Sequence, residues 1–155
     1  MRLVESADID GSALDVFGAL TDLHHFERLS LRHGVILHRL DGTGNLRPGA
    51  EWRIEFPFRG RLRELTSRVD ALDDPRQMVL SGKSSGFQYR ATLSLTALSR
   101  TTTRLWADLE VRPKSLAARI LLQTLKLGRS RLRSRFAARL GALAELLQHR
   151  IKSRP

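Results

Sequence analysis

The middle of this chain is patterned almost entirely as β-strands, and one long amphipathic helical pattern follows them. From residue 35 to residue 111, apolar and polar side chains alternate with a period of two between short turn-forming segments. From Pro113 to about Gln148 the apolar residues instead recur with helical spacing. Because only one long helix is available, the sheet must curl around it to bury its apolar face. The pattern therefore predicts an α+β fold in which a curved antiparallel sheet wraps around a long C-terminal helix.

Turn-forming residues separate about six consecutive strands in the middle of the chain. Asp73-Asp74-Pro75 and Ser85-Gly86 are typical of such turns. The predicted strands cover residues 35–40, 52–58, 61–72, 77–84, 87–98 and 102–111. A further strand at residues 3–9 is followed by two short helices, of which the second covers residues 23–29. The prediction is thus six to seven strands, with two short helices after the first.

The C-terminal segment carries nearly all of the net charge. The chain has 155 residues and a formal net charge of +11. Residues 113–155 contain eleven Lys or Arg residues but only one acidic residue, Glu145. We predict one domain over residues 1–155, closed by a basic helix over about 113–150, with Gly128 as a candidate kink because glycine is a poor helix former. The apolar stripe of this helix consists of Leu125, Leu132, Phe136, Leu140, Leu143 and Leu147.

Basic side chains flank the apolar stripe of the predicted helix, and three interpretations of them stay open. Their aliphatic stems could simply cover apolar surface while the charges remain in water. They could instead contact an anionic membrane surface or an acidic protein. Nucleic acid is a weaker candidate, because a second basic element and interleaved aromatic residues are missing. The residues predicted to contact an anionic surface are Lys126, Arg131, Arg133, Arg135 and Arg139.

Several classes of protein and site are disfavoured by what the sequence lacks. The chain has no cysteine, which excludes disulfides, thiolate metal sites and cysteine nucleophiles. Acidic residues close to the N-terminus argue against a signal peptide, and uncharged runs are too short to span a bilayer. Gly42 and Gly44 precede a strand and not a helix, which argues against a phosphate-binding loop. We expect a cytoplasmic protein, peripheral to the membrane if the basic helix binds lipid, with no metal and no cofactor.

Several segments resemble the START-like superfamily called SRPBCC, which includes polyketide cyclases, lipid-transfer START domains and the birch-pollen-allergen fold. One is the strand-to-helix entry at residues 9–22, with its Val16-Phe17 pair and its final Thr-Asp. Others are Leu-Asp-Gly-Thr-Gly at residues 40–44, Pro-Gly-Ala-Glu-Trp at 48–52 and the acidic turn that ends the segment 69–75. The resemblance covers essentially the whole chain and implies a helix-grip fold.

The resemblance also implies a deep apolar cavity between the curved sheet and the long helix. Members of the superfamily bind lipids, sterols, quinones or polyketides there, and only some are enzymes. The chain is thus expected to bind or carry a hydrophobic small molecule, or to act as a polyketide cyclase or aromatase. The third alternative is a membrane or protein interaction module that acts through the basic helix and has a filled core. Its oligomeric state is left open. The predicted cavity residues are Trp52, Ile54, Phe56, Phe58, Leu65, Ser67, Val69, Phe87, Tyr89, Leu93, Leu105, Leu109, Leu132 and Phe136.

Three side chains are candidates for chemistry inside or beside that cavity. A buried Tyr89 needs a hydrogen-bond partner and could bind a ligand carbonyl or hydroxyl, or be a core tyrosine satisfied within the protein. Ser67, if it faces inward with Leu65 and Val69, could bind a ligand in the same way. His24 or His25 could act as a general acid or base at the cavity mouth, or could be solvated loop residues. Adjacent histidines cannot share one helix face, which argues against a metal site formed by the pair.

Overall fold

The computed structural model describes residues 1–32, 34–42, 44–58 and 60–153, without the side chain of Phe58. Within these ranges there are seven strands and four helices. The strands are β1 (Arg2–Asp10), β2 (Ile36–Arg39), β3 (Glu51–Phe58), β4 (Arg61–Asp73), β5 (Gln77–Ser84), β6 (Phe87–Ala97) and β7 (Thr102–Pro113). The helices are α1 (Ala13–Leu20), α2 (Leu23–Arg32), α3 (Leu116–Leu127) and α4 (Arg129–Lys152).

All seven strands form one antiparallel sheet in the order β1-β7-β6-β5-β4-β3-β2. Strands β2 to β7 are therefore a continuous meander, as the turn signals predict. The first strand pairs with the last, so the two short helices α1 and α2 carry the chain from one edge of the sheet to the other. The predicted α+β architecture is confirmed.

One end of the sheet is closed by a tightly packed core. Helix α4 packs against α1 and β1 there, and Ile9, Val16, Leu105 and Leu147 are completely buried. Helix α1 is held at its start by Ser12, whose hydroxyl accepts a hydrogen bond of 3.1 Å from the backbone N–H of Asp15. This core joins the first strand, the last strand and the last helix, which are far apart in sequence.

The C-terminal segment forms two helices, whereas the sequence pattern over residues 113–150 predicts one. Gly128 separates them, with φ −104° and ψ 34°, and its N–H donates a hydrogen bond of 3.0 Å to the carbonyl of Leu125. The segment also begins later than predicted, because Pro113 ends β7 opposite Phe87. The Ser115 hydroxyl caps α3 by accepting a hydrogen bond of 3.1 Å from the N–H of Ala118.

The packing of α4 predicts unequal costs for two leucine truncations. Leu147 is fully buried, whereas Leu127 at the end of α3 is 90% exposed. Leu147→Ala should lower the free energy of unfolding by about 2–5 kcal/mol, because it leaves a cavity in the core. Leu127→Ala should change it by less than about 0.5 kcal/mol. Urea unfolding of the two variants measures both values, and equal losses would contradict the described packing of α4.

Candidate functional site

Four residues form a row across the centre of the sheet on one face. Trp52 pairs with Ser67, Ser67 with Gly82, and Gly82 with Tyr89. Directly paired residues of antiparallel strands point to the same face. The row therefore places two aromatic side chains, one hydroxyl and one glycine side by side.

Tyr89 reaches across β5 to Ser67 on β4. Its phenol donates a hydrogen bond of 2.5 Å to the Ser67 Oγ, and Ser67 is only 4% exposed. A Cβ at Gly82 would lie 1.9 Å from the backbone carbonyl oxygen of Thr66 and 2.6 Å from Cε1 of the tyrosine ring, so both the strand pairing and the reach of Tyr89 require glycine there. The glycine therefore gives the ring the space that it occupies on the sheet.

Burial raises the pKa of the Tyr89 phenol above its ordinary value, and the hydrogen bond with Ser67 offsets only part of that rise. At neutral pH the phenol is therefore protonated and acts as a hydrogen-bond donor. A neutral phenol of raised pKa is a poor general base. As a candidate for chemistry, Tyr89 can donate a hydrogen bond or a proton but is unsuited to removing one.

A concavity of about 490 Å³, open to solvent, lies against the same strands, and its lining combines residues of both faces of the sheet. Glu51 pairs with Arg68 and Thr66 with Lys83, one residue out of phase with Trp52, Ser67 and Gly82, so these four side chains lie on the outward face. The lining residues come from β3 to β6 and the residue that follows β2: Leu40, Glu51, Trp52, Thr66, Ser67, Arg68, Ser81, Gly82, Lys83, Gln88 and Tyr89. Of the predicted cavity residues, Trp52, Ser67 and Tyr89 are brought together here.

The segment between β2 and β3, which borders this cavity, is held by Asp41. The carboxylate of Asp41 accepts hydrogen bonds from the Arg39 guanidinium and from the N–H of Glu51, at 3.1 Å. These two bonds hold the pKa of Asp41 far below its usual range, with Arg39 as the largest cause. Asp41 belongs to the motif at residues 40–44, and its role here is structural.

Packing of the inward face is uneven along the length of the sheet. At one end Leu105 on β7 and Leu147 on α4 are completely buried. Towards the other end Leu109 on β7 and Leu132 on α4 are partly exposed. Tyr89 pairs with Val111 and so lies at this second, less tightly packed end. Helix α4 thus covers the inner face of the sheet more completely at the end with Leu105 than at the end with Leu109.

The remaining predicted cavity residues divide between these two environments. Val69 is fully buried in a small cluster with Ala50 and Trp52, and Leu105 belongs to the main core. Leu93 and Phe136 are partly buried against that core. The partly exposed members are Ile54, Phe56, Leu65, Phe87, Leu109 and Leu132. The side chain of Phe58 lies outside the described residues. Contact of these side chains with a ligand stays a prediction.

Neither candidate histidine is brought to the tyrosine row. His24 lies on α2 with its side chain 84% exposed, 3.8 Å from the carboxylate of Glu27. The His25 ring packs edge-on against Phe26, with 6.1 Å between ring centroids. Within the described part of the chain, no group of three or more His, Asp or Glu residues is placed to hold a metal ion. A role for either histidine in proton transfer stays a prediction.

The predicted anionic-surface residues are not equivalent in the structure. Lys126, Arg131, Arg135 and Arg139 are exposed. Arg133 instead lies 3.7 Å from the carboxylate of Glu5 on β1. All five cations therefore face solvent, and Arg133, whose side chain is 59% exposed, is in addition paired with the sheet.

Two residues of the inner face were missed by the sequence argument, although the period-two pattern contains both. Glu5 alternates in phase with Leu3, Ala7 and Ile9, which places a carboxylate on an otherwise apolar face. Gly82 alternates in phase with Leu80, but its importance depends on the ring of Tyr89 across the strand pair. That contact depends on strand register, which the pattern of one strand does not supply.

The hydrogen-bonded tyrosine predicts a specific titration. The chain has a single tyrosine, so the near-ultraviolet absorbance of phenolate reports on Tyr89 alone. We expect titration above the ordinary tyrosine range in the folded protein, and within that range in denaturant. Because the folded-state pKa is the higher one, the stabilisation by neutral Tyr89 is complete below the unfolded-state pKa and is lost as pH rises through the folded-state pKa.

Ser67→Ala should raise the pKa of Tyr89 further, since the serine hydroxyl stabilises the phenolate. Ser6→Ala, at an exposed position of β1, is the matched control and should leave the titration unchanged. A folded protein whose tyrosine titrates as it does in denaturant would contradict the buried, hydrogen-bonded placement.

Solved structures with this arrangement of sheet and helices share little sequence with the chain. The Zhui aromatase/cyclase from Streptomyces is 14% identical, with a TM-score of 0.71 over 99% of this chain and 96% of that one. Norcoclaurine synthase from Thalictrum flavum is 13% identical, with a TM-score of 0.70 over 99% and 87%. A START superfamily protein from Mycobacterium smegmatis is 17% identical, with a TM-score of 0.58 over 86% and 95%. These likenesses show the fold and confirm the predicted helix-grip architecture.

The family assignment comes from the sequence itself. No curated protein matches the chain. A model of the family described as polyketide cyclase/dehydrase and lipid transport matches residues 1–148. The protein therefore belongs to this family, within the START-like superfamily that its motifs resemble.

Proposed function

We propose that the protein binds or carries a hydrophobic small molecule, lipid-, quinone- or polyketide-like, at the inner face beside Tyr89. The observation that carries the proposal is the buried Tyr89–Ser67 pair on an inner face whose apolar residues there, such as Leu109 and Leu132, the protein covers only in part. The family, whose description joins polyketide cyclases with lipid transport, is consistent with such a ligand. Burial of apolar ligand surface at ~25 cal/mol per Å² would supply most of the affinity.

The Tyr89–Ser67 pair would orient a polar group of the ligand. The phenol proton is directed at Ser67 Oγ, which leaves the serine hydroxyl proton for a further acceptor. A ligand carbonyl or hydroxyl oxygen could accept it and complete a chain of two hydrogen bonds, each strengthening the other. This geometry favours an apolar ligand with one oxygen acceptor over a pure hydrocarbon.

Catalysis as a cyclase or aromatase is the second candidate function. Polyketide cyclase/dehydrase stands in the family description, and an aromatase/cyclase shares the fold. Such an enzyme would hold a reactive chain folded in the cavity, where proximity supplies much of the acceleration. Neutral Tyr89 would donate a hydrogen bond to a carbonyl, either directly or through Ser67. Turnover of a linear polyketone that is lost in Tyr89→Phe, with binding retained, would favour the enzyme over the carrier.

Trp52 provides a direct test of ligand binding. The chain has two tryptophans, and Trp106, which is 38% exposed, can be replaced to leave Trp52 as the single reporter. In Trp106→Phe, a quinone with a short isoprenoid tail should quench the fluorescence of Trp52 saturably. Ser67→Leu in that background should weaken binding at least about tenfold, because it fills the cavity and removes the hydroxyl partner.

Ser6→Leu, on the exposed side of β1, is the matched control and should bind like the parent. Native mass spectrometry of protein purified from cells gives an independent readout, with a bound small molecule in the parent and none in Ser67→Leu. Quenching that does not saturate, or that Ser67→Leu leaves unchanged, would remove the proposed site.

A further inference from the structure

Helix α3 directs large apolar side chains away from the protein. Ala118 and Leu122 are its buried residues, at 4% and 5% exposure. Leu116, Ile120 and Leu127 are 73%, 57% and 90% exposed. At about 100° per residue these three lie within about 40° of one another and nearly opposite the buried pair. We name them the outer stripe of α3.

Helix α3, which carries the exposed outer stripe, is anchored to the sheet at its N-terminal end. The N–H of Lys114 donates a hydrogen bond of 2.6 Å to the carbonyl of Gly86 in the β5–β6 turn. Gly86 also lets the helix approach closely, since a Cβ there would lie 2.8 Å from Ser115 Oγ and 3.3 Å from the Cβ of Ala118. The fold thus holds α3 with its apolar stripe in solvent, and such exposed apolar patches mark interaction sites.

Cations without acidic partners surround the outer stripe. The exposed cations on α3 or directly beside it in sequence are Lys114, Arg119, Lys126 and Arg129. Within the ranges that the structure describes, none of these four makes an ion pair with a carboxylate. The distribution favours an anionic partner at α3.

At the other end of α4 the cations do have acidic partners. Arg150 lies 3.1 Å from Asp22, and Lys152 lies 3.6 Å from Asp10. The charge of the C-terminal segment is therefore compensated at its far end and uncompensated around α3. Sequence composition alone does not distinguish these two ends.

We propose that α3 docks on an anionic membrane surface, with its outer stripe in the acyl boundary and Lys114, Arg119 and Lys126 at the lipid headgroups. No helix in the described residues is long and apolar enough to cross a bilayer. The docking is therefore interfacial, as for other short amphipathic helices with flanking cations. It depends on α3 alone and stands whether or not the interior binds a ligand.

Charge argues against the other occupants of this surface. A second copy of the chain would bring two sets of uncompensated cations together across a two-fold interface, where like charges repel. Nucleic acid would satisfy the cations but would leave the exposed leucines and isoleucine without apolar contact. An anionic bilayer satisfies both the charges and the apolar stripe.

Vesicle flotation tests the proposal. The protein should float with phosphatidylcholine vesicles that contain phosphatidylserine, bind pure phosphatidylcholine much more weakly, and lose affinity as salt rises. Replacing Leu116, Ile120 and Leu127 by Ser should weaken binding at least about tenfold, since large apolar side chains would no longer be buried. Replacing Lys114, Arg119 and Lys126 by Gln should weaken it by about fivefold per cation.

A matched control uses leucines of similar exposure elsewhere on the surface. Leu14, Leu31 and Leu62 are 67%, 63% and 68% exposed on α1, α2 and β4. Replacing these three by Ser should leave flotation unchanged. Unfolding midpoints of all variants show whether each one is folded, and the glutamine variant tests the surface independently of the stripe.

Three outcomes would overturn the proposal. One is failure of the parent protein to float with anionic vesicles. Another is flotation that both the serine and the glutamine variants retain. The third is a dimer in analytical ultracentrifugation that the serine variant of the outer stripe dissociates, which would assign that stripe to a second copy.

Discussion

The packing of α4 against the first strand and α1, in a core that also includes residues of the last strand, is the interaction on which the rest of the structure depends. Leu140, Ala144 and Leu147 are the buried residues of that helix, and all three lie within residues 140–147. This short buried stripe cannot cover the inner face of a seven-stranded sheet from end to end. The end near α1 is therefore filled by protein side chains. Tyr89 lies at the other, less completely packed end.

A single glycine links this architecture to the proposed binding site. Gly82 leaves the space into which the Tyr89 ring fits, and the ring in turn positions its phenol on Ser67. A side chain at position 82 would collide with the backbone carbonyl of Thr66 as well as with the ring, so the strand pairing and the Tyr89–Ser67 contact both depend on this glycine. The site is thus built from strand register and the absence of one side chain, and it carries no catalytic sequence motif.

The strands could be predicted from the sequence because the side chains of a half-buried strand point alternately to the core and to solvent. The alternation through Trp52, Ile54 and Phe56 is an example, and it placed Ser67 and Tyr89 on the same inward face by the same rule. The helical part was less predictable. A helical wheel assumes one continuous axis, whereas Gly128 interrupts the segment, so the phase of the α4 stripe does not extend to Leu116 or Ile120 in α3. Ion pairs such as that of Arg133 with Glu5 join residues distant in sequence and have no local signature.

The central claim is that the inner face beside Tyr89 retains apolar space that the protein does not fill. Xenon binding to crystals under pressure tests this most directly, because xenon occupies dry apolar cavities irrespective of the natural ligand. The account predicts xenon density, or density of a retained ligand that xenon displaces, on the inner face between Trp52, Tyr89 and Leu109. An interior without either, filled by the protein's own side chains, would contradict it.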